Sequence, residues 1–549
     1  MPFEIEDGVL KRFWDENETD VVIPKGVTSI GADAFEHCFS IKSVIIPKGV
    51  TSIGERAFLR CESLERIDIP SGVEKIGKAA FFKCTSLKSI VIPGEVNNIC
   101  ENTFYGCSSL ERVILLPGVK RIGKSAFQIC SSLYSILLPR GLSFIDSYAF
   151  FECVSLERIF IPNSVRRLGG SMFYNCRQLQ YVHLPKGLKR ISDELFSGCT
   201  SLKSVSIPEG VESIGRSAFL GCFTLADVSM PESMLKIEND AFNGCQELVN
   251  ISFSDNIKEL GSGVFCECTM LQSIVIPKNV QSIDEYTFSQ CDSLKHIVLP
   301  DDLKTIYSHA FSQCISLEDI YIPEKVELID EYAFDDCVSL ENIKISPCVT
   351  RIGSFAFSFC RSLRSIVIPE NVESIGWDVF SHCSSLEHLV LPVTLNVEGE
   401  NPIGDSSEKA WKLIIGDYRF NIPAEQYIDL SVAMALINGC DYGVYIDAHN
   451  EKILFAGTIY LKSGRDDVEA YIRENLFEVF YFYIDNDYYT VIKGLFECGK
   501  FVTKDNISEI CDYSIEHTQK GGDVQIQAYI LAYRSREFPD FNSADNMFI

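Results

Sequence analysis

Val50-Thr51-Ser52-Ile53-Gly54-Glu55-Arg56-Ala57-Phe58-Leu59-Arg60-Cys61-Glu62-Ser63-Leu64-Glu65-Arg66-Ile67-Asp68-Ile69-Pro70 is one clean copy of a unit that recurs every 23 residues. Phenylalanine returns at Phe35, Phe58, Phe81 and onward to Phe380, and cysteine from Cys38 to Cys383, sixteen times each without a miss. Three residues after each cysteine stands Leu, except Ile41 in the first copy. A period held this strictly means that each unit buries its apolar face only by stacking on its neighbours, which is a repeat solenoid.

The columns of the unit have separate jobs. Leu64-x-x-Ile67-x-Ile69-Pro70 alternates as a strand, with Ile67 and Ile69 inward and Arg66 and Asp68 outward, and Pro70 ends it. The position of Gly54 is Gly in nine copies but Asp146, Ser192, Asp284 and Asp330 in others. That mixture predicts the N-cap of a short helical turn rather than a site of positive φ. Stacking sixteen such units predicts a parallel sheet with a column of short helical turns behind it.

The string I-P-x-x-V-x-x-I-G-x-x-A-F-x-x-C-x-S-L resembles the BspA-type leucine-rich repeats, over roughly residues 21–392. The resemblance implies a leucine-rich-repeat-like stack and a non-enzymatic binding or adhesion protein, in many relatives displayed on a cell surface. Here the start, Met1-Pro2-Phe3-Glu4-Ile5-Glu6-Asp7-Gly8, has neither a basic nor an apolar segment of a signal peptide. The expectation is therefore a cytoplasmic chain, with a surface adhesin exported without a visible signal as the alternative.

Charge narrows the partners. Of 549 residues, 76 are acidic and 49 basic, a net of −27. Residues beyond 392 carry about half of that excess in far fewer residues. The balance argues against nucleic acid, which asks for basic stripes. No apolar run approaches the ~18 residues needed to span a bilayer.

Sixteen of the 22 cysteines lie on the repeat, leaving Cys100, Cys266, Cys348, Cys440, Cys498 and Cys511. Equivalent cysteines in adjacent units point the same way, about a strand spacing apart, too far and too parallel for a disulfide. Reduced, buried thiols and a reducing compartment are expected. Cys266-Glu267-Cys268 and His382-Cys383 lack a matched second pair, so no metal is expected.

In chain order, residues 1–20 read as a capping hairpin around Asp7-Gly8, 21–392 as the solenoid, 393–420 as a linker and closing segment, and 421–549 as a small α-helical domain. Trp411–Ile415 reads as a closing strand. Asn421 and Pro423 predict a helix start, with helices over 424–438, 466–483, 487–498, 504–517 and 523–534. Met172 and Leu195 are oversized for the column of Ala57, and Phe253-Ser254 and Ser346-Pro347 predict altered strand exits. No nucleophile elbow, zinc motif or phosphate loop is present, and no cofactor or small-molecule substrate is indicated. A cryptic enzyme in the helical domain would have to use Cys440, Cys498 or Cys511 with His449 or His517, and Asp466, Asp467, Asp485 and Asp487 read as solvated helix ends.

Surface remains. The residue between the two inward strand positions forms a ladder on the open face, with an apolar zone at Ile114, Leu137 and Phe160 and another at Val275, Val298 and Tyr321. Between them lie His183, Ser206, Ser229 and Ser252. Arg112 and Arg158 flank the first zone. The leading expectation is a non-enzymatic scaffold that binds a protein partner through these residues.

Overall fold

The computed structural model describes residues 2–539 except 16, 399–400, 402, 404–408, 425 and 443–447. It is a parallel β-solenoid followed by helices, and it divides into two compact units, Met1–Pro323 and Glu324–Ile549.

In the first unit seven columns of side chains turn inward, and an eighth, that of Ile69, is buried in most coils, as at Ile92 and Ile161, and half-buried at Ile69 itself. In the copy quoted above the seven are Val50, Ile53, Ala57, Phe58, Cys61, Leu64 and Ile67, all at most 4% exposed. The phenylalanines stack face to face from coil to coil, with centroids 4.8 Å apart at Phe35–Phe58 and 5.8 Å at Phe242–Phe265. Each such ring pair adds about 0.5–1.5 kcal/mol to the burial of its area.

Most coils contribute two strands, not one. The three- and four-residue strands, such as Ser43–Ile45 and Arg66–Asp68, pair in parallel with Val44 opposite Ile67. A second column consists of two-residue strands, such as Ser29–Ile30, Ser52–Ile53 and Lys75–Ile76.

Where a short helical turn is expected, the chain instead makes a run of i→i+3 turns broken by left-handed residues. Leu59 N–H donates to Arg56 and Cys61 N–H to Phe58. Arg56 and Arg60 have φ of 52° and 57°, and the same two positions are left-handed in coil after coil. The alternation aims the N–H groups of Arg56, Phe58 and Arg60 at the Lys78, Ala80 and Phe82 carbonyls of the next coil. A helix would have kept those donors within its own turn. Left-handed backbone costs roughly 1–2 kcal/mol per non-glycine residue, and the bonds along the stack offset it.

In the coils that have glycine in this column the neighbouring backbone is close, whereas coils with Asp146, Ser192 or Asp284 accommodate a Cβ there. Gly54 is not left-handed, but a Cβ there would lie 2.5 Å from the Gly31 backbone.

The strands Phe3–Glu6 and Val9–Phe13 form an antiparallel hairpin through Asp7 and Gly8, both with positive φ. Its second strand pairs in parallel with Ser29–Ile30, and Phe13 lies 5.3 Å from Phe35, so the first ring of the stack is covered. Met172 and Leu195 are both fully buried, and ring spacings beside them are 5.7 Å and 5.6 Å. At Ser252 the strand is lost: Ser254 turns inward, accepts from Asn256 N–H and donates to the Glu232 carbonyl.

In the second unit the strands Asn342–Lys344, Ser365–Val367, His388–Leu391 and Trp411–Ile415 continue in parallel, and Tyr418–Ile422 folds back on the last as a hairpin. Asn421 is therefore a strand residue. The helix expected to start there is capped by Asp429, whose carboxylate accepts from Ser431 and Val432 N–H. Seven helices follow among the described residues: α1 (Leu430–Ile437), α2 (His449–Ser463), α3 (Asp466–Glu474), α4 (Leu476–Asp485), α5 (Tyr489–Glu497), α6 (Ile507–Gln519) and α7 (Val524–Glu537). The expected single helix over 466–483 is broken at Asn475. α2 was not expected and lies at the centre, with Leu454, Phe455, Ala456 and Ile459 at 0% exposure. Gly457 lets Tyr483 approach: its N–H donates to the Tyr483 hydroxyl at 2.7 Å, and a Cβ would meet that ring at 2.8 Å.

Candidate functional site

The first apolar zone lies on one continuous five-stranded sheet, Ser89–Ile92, Arg112–Leu115, Ser135–Leu137, Arg158–Phe160 and Tyr181–His183. Ile114 stands opposite Leu137, and Phe160 opposite His183. The outward positions are open to solvent, with Leu137 74% and Phe160 58% exposed. The inward neighbours Val113 and Ile159 are buried, so strand alternation alone sends this ladder outward. His183, read from the sequence as part of a polar gap, stacks on Phe160 at 4.3 Å and 3°. It extends the zone rather than ending it.

Arg112 pairs in register with Ser135, and Ser135 with Arg158. The two arginines therefore stand two coils apart along one edge of the zone. Neither has an ion-pair partner among the described residues.

The second zone is less continuous. Val275 and Val298 face each other in a two-stranded sheet, and the strand Asp319–Tyr321 lies outside that sheet. All three side chains are more than half exposed. In the gap, Ser206 and Ser229 keep their strands paired and their hydroxyls hydrogen-bond at 3.2 Å, whereas Ser252 is in no strand. The two zones are thus separated by a sheet break as well as by polar side chains.

The cysteine column has a role that the sequence does not announce. Cys61 Sγ donates to the Phe35 carbonyl at 3.1 Å, and the same bond spans 26 residues at Cys84, Cys107, Cys130 and onward to Cys383. That carbonyl also accepts the N–H three residues on. Burial pushes the Cys107 thiol up to about 12. Cys268 and Cys383 belong to this column, and among the described residues no three His, Cys, Asp or Glu side chains gather as metal ligands would.

In the helical region the thiol–imidazole pairs do not form. His449 bonds Glu478 at 2.7 Å, and His517 sits between Asp485 and Asp487 at 3.3 Å and 3.4 Å. Cys498 donates to the Leu495 carbonyl, and burial raises the Cys511 thiol to about 11. Asp485 and Asp487, expected as solvated ends, tie the turn between α4 and α5 to α6. Asp467 binds Arg465, which also donates to the Leu436 and Cys440 carbonyls. An open cleft of about 540 Å³ is lined by Asp417, Lys462, Asp487 and Tyr489 among others. No helix among the described residues is long and apolar enough to cross a membrane.

Stacked parallel coils of 23 residues, with apolar side chains displayed on the strand face, define a leucine-rich-repeat solenoid. The BspA type Leucine rich repeat region (6 copies) matches residues 10–134, 99–226, 213–339 and 281–407, and the chain belongs to that family. A leucine-rich repeat protein from Bacteroides ovatus is 28% identical, over 69% of this chain and 94% of that one, with a TM-score of 0.45. A leucine rich cell surface protein from Faecalibacterium prausnitzii is 26% identical, over 71% and 90%, with a TM-score of 0.37. Among curated proteins none matches the chain.

Proposed function

We propose that the chain is a non-enzymatic scaffold that captures a protein partner on the open face of its three-residue strands, chiefly at Ile114, Leu137, Phe160 and the ring of His183. One observation carries this reading: large apolar side chains stand outward in register on one continuous sheet, with the unpaired guanidinium groups of Arg112 and Arg158 at their edge. Interfaces draw their binding energy from such aromatic and arginine anchors. Val275, Val298 and Tyr321 supply a second, smaller contact. The column of buried thiols supports a reducing compartment, with surface display as an adhesin the alternative; fractionation of the native cell separates the two.

The test is a comparison of baits matched by circular dichroism. Phe160→Glu places a charge in the first zone and Tyr321→Glu in the second, while Ser229→Glu alters the gap. Partner capture is expected to fall at least tenfold with Phe160→Glu, fall less with Tyr321→Glu, and hold with Ser229→Glu. Equal recovery by all three would remove the open face as the site.

A further inference from the structure

The chain's acidity conceals a reversal of sign. Between residues 120 and 190 there are eleven Lys and Arg against three Asp and Glu, a net of +8, which leaves −35 for the rest. Much of this charge comes in pairs spaced by the repeat, Lys120-Arg121, Arg166-Arg167 and Lys189-Arg190, with Arg140 and Lys186 on the turns that lead into the same column. All of these side chains are exposed. They occupy the column of two-residue strands, not the strands that carry Ile114, Leu137 and Phe160.

The side chains lean together along the stack. Lys120 Nζ would lie 3.1 Å from a Cβ at Gly141, beside Arg140, and the Arg166 guanidinium lies against Gly187, beside Lys186. Arg121 lies over the Phe144 ring at 5.0 Å. Carboxylates neutralise only the far end, where Lys189 pairs with Glu212 and Arg190 with Asp193 and Glu238. Among the described residues Lys120, Arg121, Arg140, Arg166, Arg167 and Lys186 have no ion-pair partner. The short-strand column is also interrupted here. Residues 98–99, 121–122 and 144–145 form one sheet and 190–191 opens the next, with only an Ile145–Leu168 bridge between them. Arg166 and Arg167 thus stand outside any strand.

We infer that this stripe binds an extended acidic polypeptide segment, at a site separate from the apolar face. Three observations select that occupant. Guanidinium groups two coils apart match carboxylates through paired N–H donors. Lys120 reaches along the stack to the turn of Arg140 and Arg166 to that of Lys186, so the cationic groups form a lengthwise line that an extended chain can follow. The ring within the stripe, Phe144, already carries Arg121 over one face, which leaves less of it for the base stacking that single-stranded nucleic acid uses.

The experiment uses the full chain and fluorescence anisotropy with labelled peptides of ten glutamates or ten glutamines, and with a single-stranded oligonucleotide of ten phosphates. At 50 mM NaCl the glutamate peptide is expected to bind, the glutamine peptide not, and raising NaCl to 300 mM to weaken binding at least tenfold. The double change Arg166→Glu and Arg167→Glu is expected to cost at least tenfold. Lys258→Glu with Lys304→Glu, in the same column but outside the stripe, should stay within twofold. Arg140→Ala with Lys186→Ala gives the same reading should the arginine variant melt early, and Phe160→Glu should leave peptide binding unchanged. Absence of glutamate-peptide binding, or equal loss in stripe and control variants, overturns the proposal. So does tighter binding of the oligonucleotide that vanishes with the same arginines, which would make the stripe a phosphate-polymer site.

Discussion

Replacing Phe219 by Ala tests whether the stack is held by neighbour contacts. Phe219 is fully buried, and its ring stacks on Phe196 at 5.4 Å and on Phe242 at 5.1 Å. Its N–H bonds the Ala241 carbonyl, and its own carbonyl accepts from Cys222 N–H and Cys245 Sγ. Alanine keeps those backbone bonds and removes only the ring, so the cost is that of a large-to-small core change, about 3–5 kcal/mol. At about 1.4 kcal/mol per factor of ten, the local opening constant should rise on the order of a thousandfold. Because each coil touches only its neighbours, the loss should be confined to coils near residues 196–242. Hydrogen exchange by mass spectrometry reads this directly. The expected pattern is a trough of protection centred on residue 219, with coils near Phe58 and Phe104 unchanged. Protection that falls equally in all coils of the first unit would refute the neighbour-only account and require a unit that opens as one.

Thiol chemistry gives a second check. With its pKa raised by burial to about 12, Cys107 should resist iodoacetamide at pH 8 in the native chain, while the exposed Cys348 and Cys498 react; alkylation of Cys107 at the rate of Cys348 would contradict the described packing. The third concerns acid. Bonds from Lys500, then Arg473 and Tyr460, lower the Glu469 carboxyl from its ordinary 4.5 to about 2. A depressed folded pKa stabilises above the unfolded value, so this contribution should be complete above pH 4.5 and fade as pH falls toward 2. Glu469→Gln should flatten that part of the acid transition in α3 exchange, and superimposable acid profiles would count against the assignment.

Much of the coil is legible because its inward columns are chemically narrow. Phe58, Cys61 and Leu64 recur with almost no substitution, and the strand at Ile67 alternates in plain view. The second strand column is not legible, since Ser52–Ile53 is too short to show alternation and is defined by bonds to the coils on either side. The left-handed positions are hidden for a related reason. Arg56, Ala79, Asn102 and Tyr148 share a backbone conformation but no side-chain property, because the stack and not the residue imposes it. In the helical region α2 is masked in the sequence because Gly457 and Thr458 interrupt the helical pattern, and Gly457 is there for the close approach of Tyr483. Asn475 ends α3 without Gly or Pro, and its side chain donates to the Tyr471 carbonyl. The outward ladder of Ile114, Leu137 and Phe160 follows from alternation, but the stacking of His183 on Phe160 needed the register.

The basic stripe is hidden in the total charge, and it bears on how such a chain acquires binding sites. Total charge sums over faces that never meet, so −27 describes none of them. The coil commits its inward columns and most of its backbone donors and acceptors to neighbouring coils, leaving the outward positions free to vary without cost to the stack. Lys120, Arg166 and Lys189 occupy the same outward position as Thr51, Glu212 and Leu235, all on coils with the same core. Coils carrying Ile114 to His183 and those carrying Lys120 to Arg190 overlap, so one stretch of about four coils displays an apolar face on its longer strands and a cationic one on its shorter strands. Charge reversal at Arg166 and Arg167 and a charge at Phe160 should therefore act independently on two partners, or together on one partner that wraps the coil. Measuring each bound partner against both changes separates these outcomes: two partners each lose affinity to one change only, whereas a single wrapping partner loses affinity to both, the two losses adding within about 0.5 kcal/mol.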